Sequence, residues 1–147
     1  MTKELAGHER QLCDIQGRLF ERSLTQNLDS EDFIKKFMNS KTCEYLDMPY
    51  DRLQWAGEEY ILENLLDEVP VLSAGKRYSI EELHWMGYIY RYWHYLTGEK
   101  GRDIYTQAKA DFMRDCYLGF HSLDAKMAIE DLKEIHRQKN DISSCVI

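Results

Sequence analysis

The chain has 147 residues, of which 44% are hydrophobic, and it carries a formal net charge of −7. A chain of this length buries about two-thirds of its unfolded surface, so one self-sufficient core is expected. The acidic balance argues against nucleic-acid binding, which depends on lysine and arginine displacing counterions, and it favours a basic partner. No stretch has the length of a membrane span and residues 1–11 lack a signal-peptide core, so a cytoplasmic location is expected.

The four cysteines of the chain are Cys13, Cys43, Cys116 and Cys145. None of them belongs to a Cys-x-x-Cys pair, so their spacing predicts neither a zinc site nor a disulfide framework. Reduced thiols are therefore expected, as is usual in the cytoplasm.

Two helices are predicted in the first part of the chain. Between residues 3 and 25, apolar residues at helical spacing form one face and charged residues fill the other, which indicates an amphipathic helix. Asp29 or Ser30 is a suitable N-cap for a short second helix, and the sequence allows a further turn through Tyr45 and Leu46.

A third helix is predicted from Pro49 to about Glu68. Proline is favoured in the first turn of a helix, because its missing N–H has no intrahelical partner there. Pro70 ends this helix, and residues 71–77 are the only segment that suits a strand or a mobile loop.

The stretch from Tyr78 to Leu96 has the densest aromatic content and predicts the central helix of the fold. Ser79 and Glu82 form a capping box at its start, and Gly98 suits a left-handed C-cap at its end. Its apolar residues form two neighbouring stripes, so the helix is expected to be covered on several sides. The three tryptophans lie on this helix and the preceding one and are expected to be buried: Trp55, Trp85 and Trp93.

Two more helices are predicted after the central one. The first follows Gly101, carries apolar residues between Ile104 and Cys116, and ends at Gly119. The second begins at Ser122 or Asp124. Because no segment alternates like a strand, the sequence predicts an all-α, single-domain bundle of five or six helices around the central aromatic-rich helix. Residues 1–140 are expected to form the domain, and residues 141–147, which lack periodicity, a flexible tail.

The central helix also carries an unusual polar line of His84, Tyr88, Arg91 and Tyr95, at steps of four, three and four residues. This spacing places the side chains along one face. A guanidinium, an imidazole and tyrosine hydroxyls together suit an anionic or aromatic group. In the alternative interpretation, the tyrosines are core residues with their hydroxyls at the rim.

Arg52 and Glu59 are seven residues apart on the predicted third helix and therefore share a face. If that face meets His84 and Arg91, the bundle holds an internal charge cluster, which is either a structural network or a ligand site. Glu59 is then the predicted partner of Arg91.

Glu81 and His84 have the Glu-x-x-His spacing that binds metal in di-iron helical bundles, but those sites need a second copy and the sequence has only one. No metal site is therefore predicted. The sequence also lacks the motifs of nucleotide-binding loops, zinc proteases and serine hydrolases, and no cofactor is predicted.

Residues 50–62 (YDRLQWAGEEYIL), residues 90–99 (YRYWHYLTGE) and the later Ile104-Tyr105 resemble a family of small bacterial proteins associated with toxin and antitoxin gene neighbourhoods. Some of those neighbourhoods contain ADP-ribosyltransferase-like toxins. The resemblance covers residues 33–139. It implies a partner-binding role and no catalytic residues.

The leading interpretation is a non-enzymatic protein-interaction module of the antitoxin or immunity type, which binds a protein partner such as a toxin through acidic and aromatic surface. The alternative is a small-molecule or nucleotide-binding helical protein, or an enzyme, with its site on the third and fourth helices. Both interpretations use the same candidate residues: Arg52, Glu59, His84, Tyr88, Arg91 and Tyr95.

Overall fold

A computed structural model describes the backbone of residues 5–145 and the side chains of residues 5–141. The helices are α1 (Gly7–Arg22), α2 (Ser30–Met38), α3 (Lys41–Asp47), α4 (Glu58–Glu68), α5 (Ile80–Thr97), α6 (Gly101–Gln107), α7 (Ala110–Phe120) and α8 (Ala125–Cys145). A 3-10 turn, Arg52–Trp55, precedes α4. The described residues contain no strand beyond an isolated Leu28–Ser73 bridge. The all-α prediction is confirmed, but there are eight α-helices in this part of the chain instead of five or six.

Local capping signals start α2, and both start and end α5, as the sequence predicts. The Asp29 carboxylate accepts a hydrogen bond from the backbone N–H of Asp32 at 2.8 Å. Ser79 Oγ accepts from the N–H of Glu82 at 3.1 Å, and the Glu82 carboxylate accepts from the N–H of Ser79 at 2.9 Å, which completes the capping box. Gly98 closes α5 in the left-handed conformation, at φ 78°.

The predicted third helix is divided at Gly57. This glycine adopts φ 84°, and continuous α-helix begins only at Glu58. Before it, the Asp51 carboxylate caps the 3-10 turn by accepting from the N–H of Leu53 at 2.9 Å. The chain therefore changes direction between Arg52 and Glu59, so the two residues do not share one helical face.

The predicted helix after Gly98 is likewise divided into α6 and α7 by Ala108. Ala108 departs from helical geometry, at φ −147° and ψ 85°, and is fully buried. Its carbonyl accepts a hydrogen bond from the hydroxyl of Tyr90 on α5 at 2.6 Å. This distant side chain satisfies the buried carbonyl at the break.

Helices α1 and α5 approach each other closely at Gly87. A Cβ atom added to Gly87 would lie 2.5 Å from the carbonyl oxygen of Gln16, so only glycine fits. The Gln16 amide Nε2 also donates to the Gly87 carbonyl at 2.9 Å. These contacts fix the position of α1 relative to α5, the helix that carries His84, Tyr88, Arg91 and Tyr95.

Besides α1, α5 packs against α6, α7 and α8. Trp85 and Trp93 on α5 are buried, as predicted. The prediction for Trp55 is wrong, because this residue is 71% exposed. The prediction assumed that Trp55 lies on an apolar stripe of one continuous helix. That helix does not form, because the chain breaks at Gly57.

The connection from α4 to α5 includes residues 71–77, and it is held against the start of α2. Asp29 N–H donates to the Leu72 carbonyl and Ser30 N–H donates to the Lys76 carbonyl, both at 2.8 Å. The Asp29 carboxylate also accepts from the N–H of Lys76 at 2.9 Å. Residues 71–77 thus form no strand beyond the single bridge at Ser73, and backbone hydrogen bonds connect them to the start of α2. Their predicted mobility stays a prediction.

Both ends of the chain include predictions that fall outside the described residues. The predicted helix start at Lys3 is one of them, and residues 146–147 of the predicted tail are another. Helix α8 extends to Cys145, beyond the boundary predicted at residue 140. The flexibility of residues 141–147 stays a prediction.

Candidate functional site

The segment between α3 and the 3-10 turn directs aromatic side chains outward. Met48 is extended, at φ −84° and ψ 119°, as expected for a residue before proline. Tyr50 then adopts φ 71°, which is unusual for a residue with a Cβ atom, and is 96% exposed. Such backbone strain concentrates at functional sites.

A cleft of about 630 Å³ opens beside this segment. We call it the aromatic cleft. The side chain of Asn64 is held there by its Nδ2 donating to Thr42 Oγ1 at 2.9 Å. The residues that characterise its wall are Tyr45, Tyr50, Asp51, Arg52, Tyr60 and Asn64.

A second cavity of about 250 Å³ adjoins the aromatic cleft, since Tyr50 lines both. We call it the small hollow. Trp55 stacks on the His8 ring with the centroids 4.5 Å apart and the planes 23° from parallel. His8 Nε2 in turn lies 3.0 Å from Gln54 Oε1. The residues that characterise this wall are His8, Glu9, Asp47, Tyr50, Trp55 and Tyr95.

Arg91 lies behind the small hollow, with 2% of its side chain exposed. Its Nη1 donates to Asp47 Oδ1 at 2.5 Å and its Nε donates to Gln16 Oε1 at 2.8 Å. Its Nη2 lies 3.7 Å from Cys43 Sγ. The guanidinium carbon is 5.8 Å from the centroid of the Tyr95 ring. The guanidinium is thus enclosed by protein groups.

Burial and this guanidinium determine the ionisation of the neighbouring groups. Burial acts to lower the pKa of Arg91, but the surrounding acidic groups, Asp47 among them, raise it above its usual value. Burial raises the pKa of the Cys13 and Cys43 thiols to about 12, although Arg91 opposes the shift. Both thiols are therefore protonated at neutral pH and are poor nucleophiles.

Helix α4 adds acidic residues beside the aromatic cleft. Glu58 pairs with Arg18, and Glu59 pairs with Arg22, both at 3.2 Å. Tyr60 is 55% exposed, and the exposed Glu63 and Asp67 follow it on the same face, three and seven residues later. Neither acid has an ion pair among the described residues.

The structure distributes the six predicted site residues over several places. Arg52 lines the aromatic cleft, and Tyr95 lines the small hollow. His84 lies on the α1 side of α5, where its Nδ1 is 2.7 Å from Glu21 Oε2. Tyr88 packs near Tyr92, with ring centroids 6.1 Å apart. The remaining two residues are Glu59 and Arg91, with the separate partners given above.

The predicted internal charge cluster is not formed. The partner of Arg91 is Asp47 rather than Glu59, which reaches Arg22 at the surface instead. The break at Gly57 is the physical reason, because it turns Glu59 away from the position that a continuous helix would give it.

Sequence reasoning missed Asp47 and the outward direction of Tyr50 and Trp55. The only local signals were Pro49, which forces an extended residue before it, and Gly57, which permits a positive φ. Neither signal identifies the partner of Asp47, which lies 44 residues away in the sequence.

Comparisons of the chain with protein-family models, with curated proteins and with solved structures find no match. Within the described residues, no group of three or more histidine, cysteine, aspartate and glutamate side chains is arranged to hold a metal ion. No helix in the same part of the chain combines the length and apolar character needed to cross a membrane.

Proposed function

We propose that this chain is a non-enzymatic protein-interaction module of the antitoxin or immunity type, and that it binds a basic segment of a protein partner in the cytoplasm. The aromatic cleft and the acidic face of α4 form the binding surface. The observation that carries the proposal is the concentration of exposed aromatic side chains around this cleft. The resemblance of residues 33–139 to proteins of toxin and antitoxin neighbourhoods supports the antitoxin or immunity type.

Exposed apolar residues are concentrated at the cleft rather than scattered. Of the nine large hydrophobic residues that are exposed in the described part of the chain, five lie between positions 45 and 60. Tyrosine, tryptophan and methionine are enriched in protein interfaces, and these five residues are Tyr45, Met48, Tyr50, Trp55 and Tyr60. A surface of this composition favours a protein partner.

The charge of the surface favours a basic partner. Glu63 and Asp67 are exposed beside Tyr60 and have no ion pair among the described residues. The chain as a whole carries −7, so its field attracts a basic segment and repels nucleic acid. Arg52 and the Arg22–Glu59 pair add polar groups at this surface.

The experiment compares capture and affinity between matched variants. The immobilised protein captures partners from a lysate of the native host, mass spectrometry identifies them, and calorimetry measures Kd with the purified partner. Tyr60→Ala and Glu63→Lys are expected to raise Kd at least about tenfold. Leu118→Ala is the control, because Leu118 is 83% exposed on α7 and does not line the cleft.

The two outcomes of this comparison are clearly different. A captured basic protein whose Kd responds to Tyr60→Ala and not to Leu118→Ala supports the proposal. Equal affinities for the wild type, Tyr60→Ala and Glu63→Lys overturn it, whatever the identity of the captured protein.

A second candidate function is small-molecule binding in the aromatic cleft. Its volume of about 630 Å³ falls in the range of about 300–1,000 Å³ that is usual for ligand pockets. Arg52 is the only one of the six predicted site residues that lines it. Native mass spectrometry of protein purified from its host tests this alternative, which requires a bound small molecule that Tyr60→Ala removes.

A further inference from the structure

The small hollow has the composition of a site for an organic cation. Trp55, Tyr50, Tyr95 and His8 contribute ring systems to a cavity of about 250 Å³. Aromatic faces attract cations because their quadrupoles are negative at the face. The volume is below the range of about 300–1,000 Å³ for drug-sized ligands, so the hollow suits a single side chain.

Two carboxylates complete the wall. Glu9 lines the hollow and uses its Oε1 to accept from the N–H of Ala6 at 2.9 Å. Asp47 keeps 14% of its side chain exposed, and its contacts with Arg91 and His94 are both made by Oδ1. No described residue bonds the second oxygen, Oδ2. Asp47, which lines the hollow, therefore has one carboxylate oxygen that accepts no hydrogen bond from the described residues.

The buried Arg91 does not turn this cavity into an anion site. Its guanidinium is 2% exposed and is occupied by Asp47, Gln16 and Cys43. An anion in the hollow would meet the carboxylates of Glu9 and Asp47 rather than a free cation. The sequence-based expectation that Arg91 grips an anionic group is thus not supported by this geometry.

We propose that the small hollow binds the guanidinium group of an arginine side chain. A planar guanidinium stacks on Trp55 and directs its N–H donors to Glu9 and to Asp47 Oδ2. The ammonium of a lysine has fewer N–H donors, and they are not held in a planar fork. This assignment rests on the proposed function, because the arginine belongs to the basic partner segment that covers the adjoining aromatic cleft.

The test uses N-acetyl-arginine amide as the probe and its uncharged isostere N-acetyl-citrulline amide as the matched control. Each compound is titrated into the ¹⁵N-labelled protein, and shifts of the Trp55 indole and the Gln54 side-chain amide are followed by NMR. The arginine probe is expected to bind in the millimolar range. The Kd of the citrulline control is expected to be at least about tenfold higher than that of the arginine probe.

Two variants locate the probe. Glu9→Gln keeps the acceptor for Ala6 N–H and removes one charge, and it is expected to weaken probe binding at least about threefold. Trp55→Leu is expected to weaken it at least about tenfold, with Gln54 as the reporter. Because Trp55 is 71% exposed, this variant should fold normally, which circular dichroism checks. Asp115→Asn removes an exposed charge on α7, outside the hollow, and should leave the probe affinity unchanged.

Equal binding of the arginine and citrulline compounds, or equal effects of Glu9→Gln and Asp115→Asn on probe affinity, overturns the assignment. This failure is distinct from failure of the proposed function. If the probe does not bind while partner affinity still depends on Tyr60, only the arginine site is wrong. If the probe binds as expected while partner affinity is insensitive to Tyr60, only the proposed docking surface is wrong.

Discussion

Removal of the Asp47 carboxylate should destabilise the protein because it leaves a buried guanidinium without its counter-charge. In Asp47→Ala, Arg91 would keep only neutral partners, namely Gln16, Cys43 and the Tyr95 ring, with 2% of its side chain exposed. Breaking a buried ion pair by removing one partner costs about 3–5 kcal/mol. Asp47 keeps 14% of its side chain exposed, which favours the lower end of that range, about 3 kcal/mol.

The double variant Asp47→Ala/Arg91→Met should be more stable than Asp47→Ala alone. Methionine fills part of the same buried space without a charge, so the desolvation penalty of the guanidinium disappears. Gln16 loses one hydrogen bond, which leaves a residual cost of about 1 kcal/mol. If the second substitution restores stability, the charge of Arg91 is destabilising without Asp47, as expected for a buried ion pair.

Urea denaturation followed by tryptophan fluorescence measures these free energies, since Trp93 is fully buried. Equal m-values among the variants are needed for a direct comparison. In a chain of 147 residues, a loss of about 3 kcal/mol also lowers Tm by about 6–12 °C. The control is Glu58→Ala, which breaks an exposed pair with Arg18 and should cost less than about 1 kcal/mol. Two results would refute the reasoning. One is a cost below about 1 kcal/mol for Asp47→Ala. The other is a double variant whose loss of stability equals the sum of the losses in Asp47→Ala and Arg91→Met measured singly.

Three further predictions concern packing and pH. Trp93→Ala should cost about 3–5 kcal/mol of stability in the same denaturation assay, because Trp93 is fully buried. Trp55→Ala should cost less than about 1 kcal/mol, because Trp55 is 71% exposed. Equal costs for the two variants would contradict the burial described. Gly87→Ala should destabilise the protein by about 1–3 kcal/mol, since the added Cβ would lie 2.5 Å from the Gln16 carbonyl oxygen. An unchanged Tm would show that α1 and α5 can move apart without cost. Partial burial raises the pKa of Glu68, but hydrogen bonds from the start of α3 outweigh it and hold the pKa below its usual 4.5, so this carboxylate stabilises the fold above that pH and the contribution is lost as pH falls. From about pH 6 to about pH 3, the wild type should therefore lose more stability than Glu68→Gln; parallel losses would argue against these hydrogen bonds.

The surface at residues 45–60 explains why the site could be only partly predicted. An aromatic residue on a helical stripe is ordinarily buried, and this rule correctly describes Trp93. It does not describe Trp55 or Tyr50, because glycine within a helical pattern is tolerated and the pattern alone does not show whether Gly57 breaks the helix. The partner-binding proposal depends on this break, since it exposes the aromatic side chains.

The sequence by itself determined the all-α class, the start of α2, the start and end of α5, and the burial of Trp85 and Trp93. The physical reason is that N-caps, a capping box and a left-handed glycine act within a few residues. Tertiary structure alone decided the division at Ala108, whose carbonyl is satisfied by Tyr90 from 18 residues away. It also decided the Asp47–Arg91 pair, 44 residues apart, and the meeting of Glu9 with Trp55 in one hollow. Such contacts depend on how whole helices pack against one another, which has no local signature in the chain.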